Sequence, residues 1–205
     1  MNVTTLNKEL QNMDLSLLDK VLKGRFVPGS KVLDVGFGSG RNSFWFLNNG
    51  FDVFGIEPNE KAFEALHHRL IQEDKKPENF ILGNLEELPY QNNGFDLVIC
   101  NAVLHFAKNE KHFIEMFAEL VRVLSPTGIL FIRMTSDIGI QDKIKEGENG
   151  VYLLPDGSHR FLLTRKMLSD LMEIHSLKFI EPLKTVNVND VRCMSTLVLT
   201  KSNNF

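Results

Sequence analysis

The chain has 205 residues, enough for one compact domain with its own core, and its 43% hydrophobic, 24% charged and 9% aromatic residues exclude disordered, collagenous and coiled-coil classes. A formal net charge of −3 lacks the basic excess that ties proteins to phosphate backbones or anionic lipid, so no nucleic acid and no membrane is expected as a partner. No basic leader precedes an apolar stretch and no window of about 18 residues is free of charge. Cys100 and Cys193 stand outside any metal-ligand spacing, which suits a reducing, cytoplasmic setting.

In chain order, Asp14 caps a short helix over 15–22 whose Leu15, Leu18 and Leu22 share one stripe before Gly24 stops it. From Lys31 the pattern alternates. KVLDVG reads as a buried strand, RNSFWFLNN as a helix stopped by Gly50, and FDVFGIE as a second strand. Asn59 caps EKAFEALHHRLIQ, with Phe63, Leu66 and Leu70 inward, and NFILG supplies a third strand. After the Asn93-Gly94 turn come FDLVICNAVL as a fourth strand and a helix carrying Phe113, Met116, Phe117, Leu120, Val121 and Leu124, which ends before Pro126. TGILFIRM is the fifth strand. The near-continuous apolarity of strands one, four and five calls for a parallel sheet covered on both faces.

Residues 136–163 have little period and hold Gly147, Gly150, Pro155 and Gly157, which reads as a long functional loop. Thr164 then caps RKMLSDLMEIH. LKFIEPLKTV and VRCMSTLVLT follow, separated by too few residues for a crossover, so they form an antiparallel hairpin. The expected organisation is a helical cap over 1–29, one α/β domain over 30–201 and a loose tail over 202–205.

Chemistry concentrates in VLDVGFGSGR, residues 32–41, at the first strand-to-helix turn. Glycines there let the backbone approach a ligand at a helix N-terminus, unless the turn is merely tight. Glu57 ends the second strand, where a carboxylate accepts both hydrogen bonds of a ribose diol, its alternative being a plain surface charge. Arg41 occupies the place of the last glycine of a dinucleotide fingerprint.

The set of Asp34, Gly36, Gly38 and Gly40 closing strand one, Glu57 closing strand two, Gly83-Asn84-Leu85 after strand three and Phe95-Asp96-Leu97-Val98 opening strand four resembles the class I S-adenosylmethionine-dependent methyltransferases, including small bacterial, tellurite-resistance-like types. The resemblance runs from about Lys31 to Leu130. It implies a Rossmann-like, doubly wound seven-stranded sheet of order 3-2-1-4-5-7-6, mostly parallel with an antiparallel C-terminal strand. It also implies S-adenosyl-L-methionine as cofactor and in-line methyl transfer to a small-molecule acceptor, a choice of acceptor that the short, mildly acidic chain favours. On this resemblance Gly36, Phe37, Gly38 and Gly40 line the methionyl part and Asp34 meets its amino end, directly or through water. Glu57 holds the ribose, Pro58 lies against the adenine, Asn84 meets its amine and the Leu85 backbone reads the ring edge. Asn101 and Ala102 offer carbonyls to the ammonium. The family more often has aspartate at the place of Asn84, whose carbonyl oxygen still accepts.

On the acceptor side, His105 is a base or donor, or a histidine packed beside Phe106. Arg133 binds an anionic acceptor or pairs with Asp137. Arg160 belongs to a lid or to ordinary surface. His67 and His68 read as a solvated face, so no metal is expected, and Phe44, Trp45 and Phe46 as packing against the sheet. The leading helix, with Lys23 and Arg25, folds over the cofactor carboxylate or covers a sheet edge. A monomer and a homodimer fit equally. Two rival functions share the loop: a nicotinamide-dependent oxidoreductase, opposed by Arg41 and the closing hairpin, and a non-catalytic S-adenosylmethionine-binding protein.

Overall fold

Two short helices, α1 (Val3–Leu10) and α2 (Leu15–Leu22), precede the alternation in the computed structural model, which describes residues 2–10 and 12–202. The apolar runs then become β1 (Lys31–Val35), β2 (Asp52–Glu57), β3 (Phe80–Leu82), β4 (Phe95–Asn101) and β5 (Leu124–Ser136). Between them lie α3 (Ser43–Asn48), α4 (Glu60–Gln72) and α5 (Glu110–Val123). Asn59 and Asn109 cap α4 and α5 through side-chain oxygens that accept from Ala62 and His112 N–H. The chain closes with β6 (Lys145–Glu146), β7 (Val151–Leu153), β8 (His159–Phe161), α6 (Arg165–Ile174), β9 (Leu177–Phe179), β10 (Lys184–Val188) and β11 (Arg192–Lys201). Residues 203–205 of the expected tail lie outside the described residues. Among the described residues no helix is long and apolar enough to cross a membrane.

The large sheet runs β3-β2-β1-β4-β5-β11-β10, parallel from β3 through β5, with β11 antiparallel to β5. This is the Rossmann-like order expected from the sequence, with one difference: the sixth strand is broken into β9 and β10, which share the outer edge of β11. Phe179 pairs with Leu199, Ile180 N–H donates to the Val198 carbonyl, and pairing resumes at Lys184 opposite Thr196. Residues 181–183 therefore face Leu197 alone. Pro182 has no N–H for the ladder, and the Glu181 carboxylate turns away to meet cations of the N-terminal helix.

One face of the sheet packs on α5 and α6 through Phe113, Phe117, Leu120, Leu168 and Leu171. The other packs on α2, α3 and α4 through Leu17, Phe44, Phe46, Leu66 and Leu70, with Trp45 edge-on to Phe46. Helix α2 keeps its expected bounds and Asp14 cap but not its stripe, since Leu15 and Leu22 are 80% and 77% exposed while Leu17 and Lys20 face inward. Lys20 is 1% exposed because its ammonium bonds Glu181, whose carboxylate also takes Lys23 at 3.2 Å and Arg25 at 3.3 Å. Lys23 and Arg25 thus engage the outer edge of the sheet.

Two further segments differ from the sequence reading. β4 ends at Asn101 rather than running to Leu104: the Ala102 N–H makes the last ladder bond, to the Arg133 carbonyl at 2.7 Å, and the positive φ of Ala102 then turns the chain out of the sheet. Residues 136–163 are a small antiparallel sheet, β6-β7-β8, rather than an irregular loop. Its edge strand β8 packs Phe161 face to face on Phe113, with ring centroids 4.7 Å apart.

Candidate functional site

All five parallel strands end at one rim, and the antiparallel direction of β11 brings its first residues there too, with Met194 opposite Thr135 and Cys193 opposite Ser136. The β1–α3 turn is shaped by close approach. A Cβ on Gly36 would stand 2.3 Å from Val103, whereas at Gly38, with φ +54°, nothing lies within 4 Å. The backbone at Gly38 therefore borders open space. Phe37 turns its ring into the core, edge-on to Phe80, so it offers the rim only its backbone.

Carboxylates back this turn. Glu57 is 8% exposed, with Oε2 accepting Gly38 N–H at 2.8 Å and Oε1 accepting Asn59 N–H at 3.0 Å. Asp34 accepts the Ser43 hydroxyl at 2.6 Å. Burial pushes its pKa up to about 7, against the opposing pull of Ser43 and Arg41. Asn101 is buried, and neither its amide nitrogen nor its amide oxygen has a partner. Beside them a cavity of about 300 Å³ is lined by Gly36, Ile56, Pro58, Asn84, Leu85 and Phe106.

These features fit an adenosyl cofactor with an amino-acid tail: an apolar slot with polar edges, a carboxylate at the strand end between slot and glycine turn, and a buried amide lacking partners. Gly36, Pro58, Asn84 and Leu85 line the slot, Glu57 and Gly38 are bonded together beside it, and Asp34, Gly40, Asn101 and Ala102 occupy the adjoining turns.

A second cavity, of about 210 Å³, meets the same segment through Ala102 and His105, where the first meets it through Val103 and Phe106, and is lined further by Arg133, Thr135, Arg160, Arg192 and Met194. All three residues singled out on the acceptor side thus share one wall. His105 is buried, edge-on to Phe106, and its Nδ1 has no partner. Burial, and then the charges of Arg160, Arg192 and Arg133, depress its pKa to about 4. The Arg160 guanidinium lies 4.8 Å from the Phe106 ring centroid, carried there by β8. Arg133 pairs with Asp14, not with Asp137: its Nη1 is 3.4 Å from Asp14 Oδ2. His67 bonds the Phe80 carbonyl at 2.7 Å, a packing role.

Two residues escaped the sequence reading. Arg192 reaches the cavity only through the antiparallel register of β11. Asp14 does cap α2, accepting from Ser16 N–H at 2.9 Å, but its N–H also bonds Asn42 and its second oxygen faces Arg133 and, at 3.9 Å, Arg41. Its signal in the sequence was that of a cap and nothing more.

Residues 33–132, from within β1 to within β5, match the model of a methyltransferase domain family. These residues are a methyltransferase domain of the class I type, with S-adenosylmethionine as its cofactor. The nicotinamide oxidoreductase reading falls with that cofactor. This methyltransferase domain is 31% identical over 107 residues to a demethylmenaquinone methyltransferase of Renibacterium salmoninarum, covering 52% of this chain and 41% of the relative. The chain thus spans less than half the length of that relative. The crystal structure of a protein from Pyrococcus horikoshii shares the fold at a TM-score of 0.73 and 19% identity, covering 92% of this chain and 89% of the other. A 1,6-didemethyltoxoflavin-N1-methyltransferase from Burkholderia thailandensis, solved with 1,6-didemethyltoxoflavin and S-adenosylhomocysteine bound, shares it at 0.70 and 19% identity over 98% of this chain and 82% of that one.

Proposed function

We propose that the protein is an enzyme that transfers the methyl group of S-adenosylmethionine to a small molecule. The observation that carries this reading is the pair of cavities that share the segment 102–106, one lined by Val103 and Phe106 with Gly36, Pro58 and Asn84, the other by Ala102 and His105 with arginines. On this reading Pro58, Asn84 and Leu85 grip the adenine, Glu57 holds the ribose hydroxyls, and Gly36, Gly38 and Gly40 let the main chain close on the methionyl part. Asp34, Asn101 and Ala102 compensate its ammonium. When bound, the cofactor supplies an activated methyl group, so alignment and exclusion of water are the main tasks of the protein.

The protein needs no covalent intermediate of its own. His105 is neutral at pH 7, and its unpartnered Nδ1 hydrogen-bonds an O–H or N–H of the acceptor and takes its proton. Arg133 and Arg160 orient the acceptor, and the β7–β8 hairpin keeps water from the second cavity. The enzyme works in the cytosol, where the buried, unpaired Cys100 and Cys193 stay reduced.

Calorimetric titration with S-adenosylmethionine and S-adenosylhomocysteine tests this, on the wild type and on Gly38→Arg. The arginine enters the open space beside Gly38 at a backbone cost of about 1–2 kcal/mol, so the fold survives while binding is lost. Micromolar binding abolished in Gly38→Arg, with S-adenosylhomocysteine and methylated product formed from some acceptor, supports the enzyme; binding without turnover on any acceptor leaves a cofactor-binding protein. No binding by the wild type refutes the reading.

A further inference from the structure

Resting on that reading, we infer that the methyl acceptor is a small organic acid, its carboxylate held by Arg133, Arg160 and Arg192 in the wall of the second cavity. Three guanidiniums from three different strands converge there: Arg133 from β5, Arg160 from β8 and Arg192 from β11. Like charges drawn into one cavity are unfavourable unless an anion joins them.

The carboxylates nearby neutralise them only in part. Arg133 stands 3.4 Å from Asp14, which is shared with Arg41, and Arg192 stands 3.5 Å from Asp156, which is already engaged by the Ser158 N–H and hydroxyl through its other oxygen. Both separations exceed the roughly 2.7–2.9 Å of a closed guanidinium–carboxylate bond. Arg160 donates to the carbonyl of its own neighbour, His159, and otherwise lies over the Phe106 ring. Each guanidinium carries several N–H donors, more than these contacts use, and the fork suits a carboxylate. The volume of about 210 Å³ admits only a small acid.

The remaining charged groups nearby are spoken for: Asp137 has Arg165 as its neighbouring cation, and Asp190 pairs with Lys143. His105 is a neutral neighbour, and three guanidiniums share two carboxylates, Asp14 and Asp156, so an arriving anion meets a wall that keeps a net positive charge. The same anion would relieve the arginine field on His105 and raise its pKa, making it a stronger base only when the acceptor is in place.

The test uses the full chain loaded with S-adenosylhomocysteine and titrated with matched pairs: benzoate against benzamide, 4-hydroxybenzoate against its amide, succinate against succinamide. At least one acid is expected to bind tenfold or more tighter than its amide, with the preference lost in the Arg160→Gln/Arg192→Gln double variant and S-adenosylhomocysteine affinity unchanged. The His105 ring resonances, followed by NMR, should titrate at higher pH when that acid is bound. Acids that bind no better than amides, or a preference that survives the double variant, overturn the inference while leaving the cofactor site standing. A double variant that loses S-adenosylhomocysteine instead assigns the arginines to the cofactor carboxylate and also overturns it. Wild-type protein that binds no S-adenosylhomocysteine removes the underlying function.

Discussion

Replacing Glu57 by glutamine probes the cofactor site with the least disturbance of shape. In the wild type each carboxylate oxygen already accepts one backbone N–H, Gly38 at 2.8 Å and Asn59 at 3.0 Å, and keeps a lone pair for a ribose hydroxyl. The amide keeps one acceptor and turns the other into a donor that faces a donor. A charge-assisted hydrogen bond is worth about 1.5–3 kcal/mol, so unfolding should fall by about that amount, a few degrees in Tm for a chain of this size. Loss of a second such bond, to the ribose, should weaken S-adenosylhomocysteine by about 10- to 150-fold. Calorimetry for binding and thermal unfolding for stability separate the two effects. An affinity within about threefold of the wild type, with Tm lowered as expected, would mean that Glu57 only braces the glycine turn, and the ribose assignment would be wrong.

Two further outcomes follow from the electrostatics. Asp34 has a folded pKa raised to about 7 from 3.8, so its contribution to stability is complete below about pH 4 and is lost as pH rises through 7. Unliganded protein should therefore lose stability relative to Asp34→Asn between pH 5 and 8, and cofactor binding near pH 7 should release protons in buffers of different ionisation enthalpy; no proton release would separate Asp34 from the ammonium. Lys20→Met leaves Glu181 buried with the more distant Lys23, Arg25 and Lys184 beside it, at 3.2, 3.3 and 3.7 Å, and should cost about 3 kcal/mol in urea unfolding. Lys20→Met combined with Glu181→Leu should recover most of that loss, and a double variant no better than the single would show that packing rather than charge is responsible.

What the sequence makes legible here depends on how locally it is determined. Helix α4 and the strands leading to the rim are set by neighbours in the chain, so caps, periodicity and the glycine turn mark them within about three residues. Asp34, Glu57 and Asn84 fall at strand ends, and a doubly wound sheet brings such ends together by rule. The inward face of α2 is decided otherwise: Lys20 turns in because Glu181 waits there, far along the chain, and three leucines at helical spacing give no hint of it. The break between β9 and β10 shows the same dependence, since Pro182 sits in a run that reads as one strand until the partner register is known. Strands of two or three residues, such as β6 and β7, have no period to detect. The acceptor cavity is half visible for this reason. His105, Arg133 and Arg160 are flagged by position, but Arg192 arrives from an antiparallel strand and Asp14 from a helix docked on the loop.

The interrupted outer strand also bears on how copies of this chain meet. A sheet invites its own extension wherever an unbroken row of main-chain donors and acceptors faces water, and a neighbouring molecule can then add strand to strand. Here one border is β3, three residues long, and the other is three residues of β9, a bulge and five residues of β10. Neither offers a template long enough to seed such stacking. The detour that gives Glu181 its cations therefore also blunts the edge of the sheet, a safeguard against aggregation written into the same few residues that anchor the N-terminal helix.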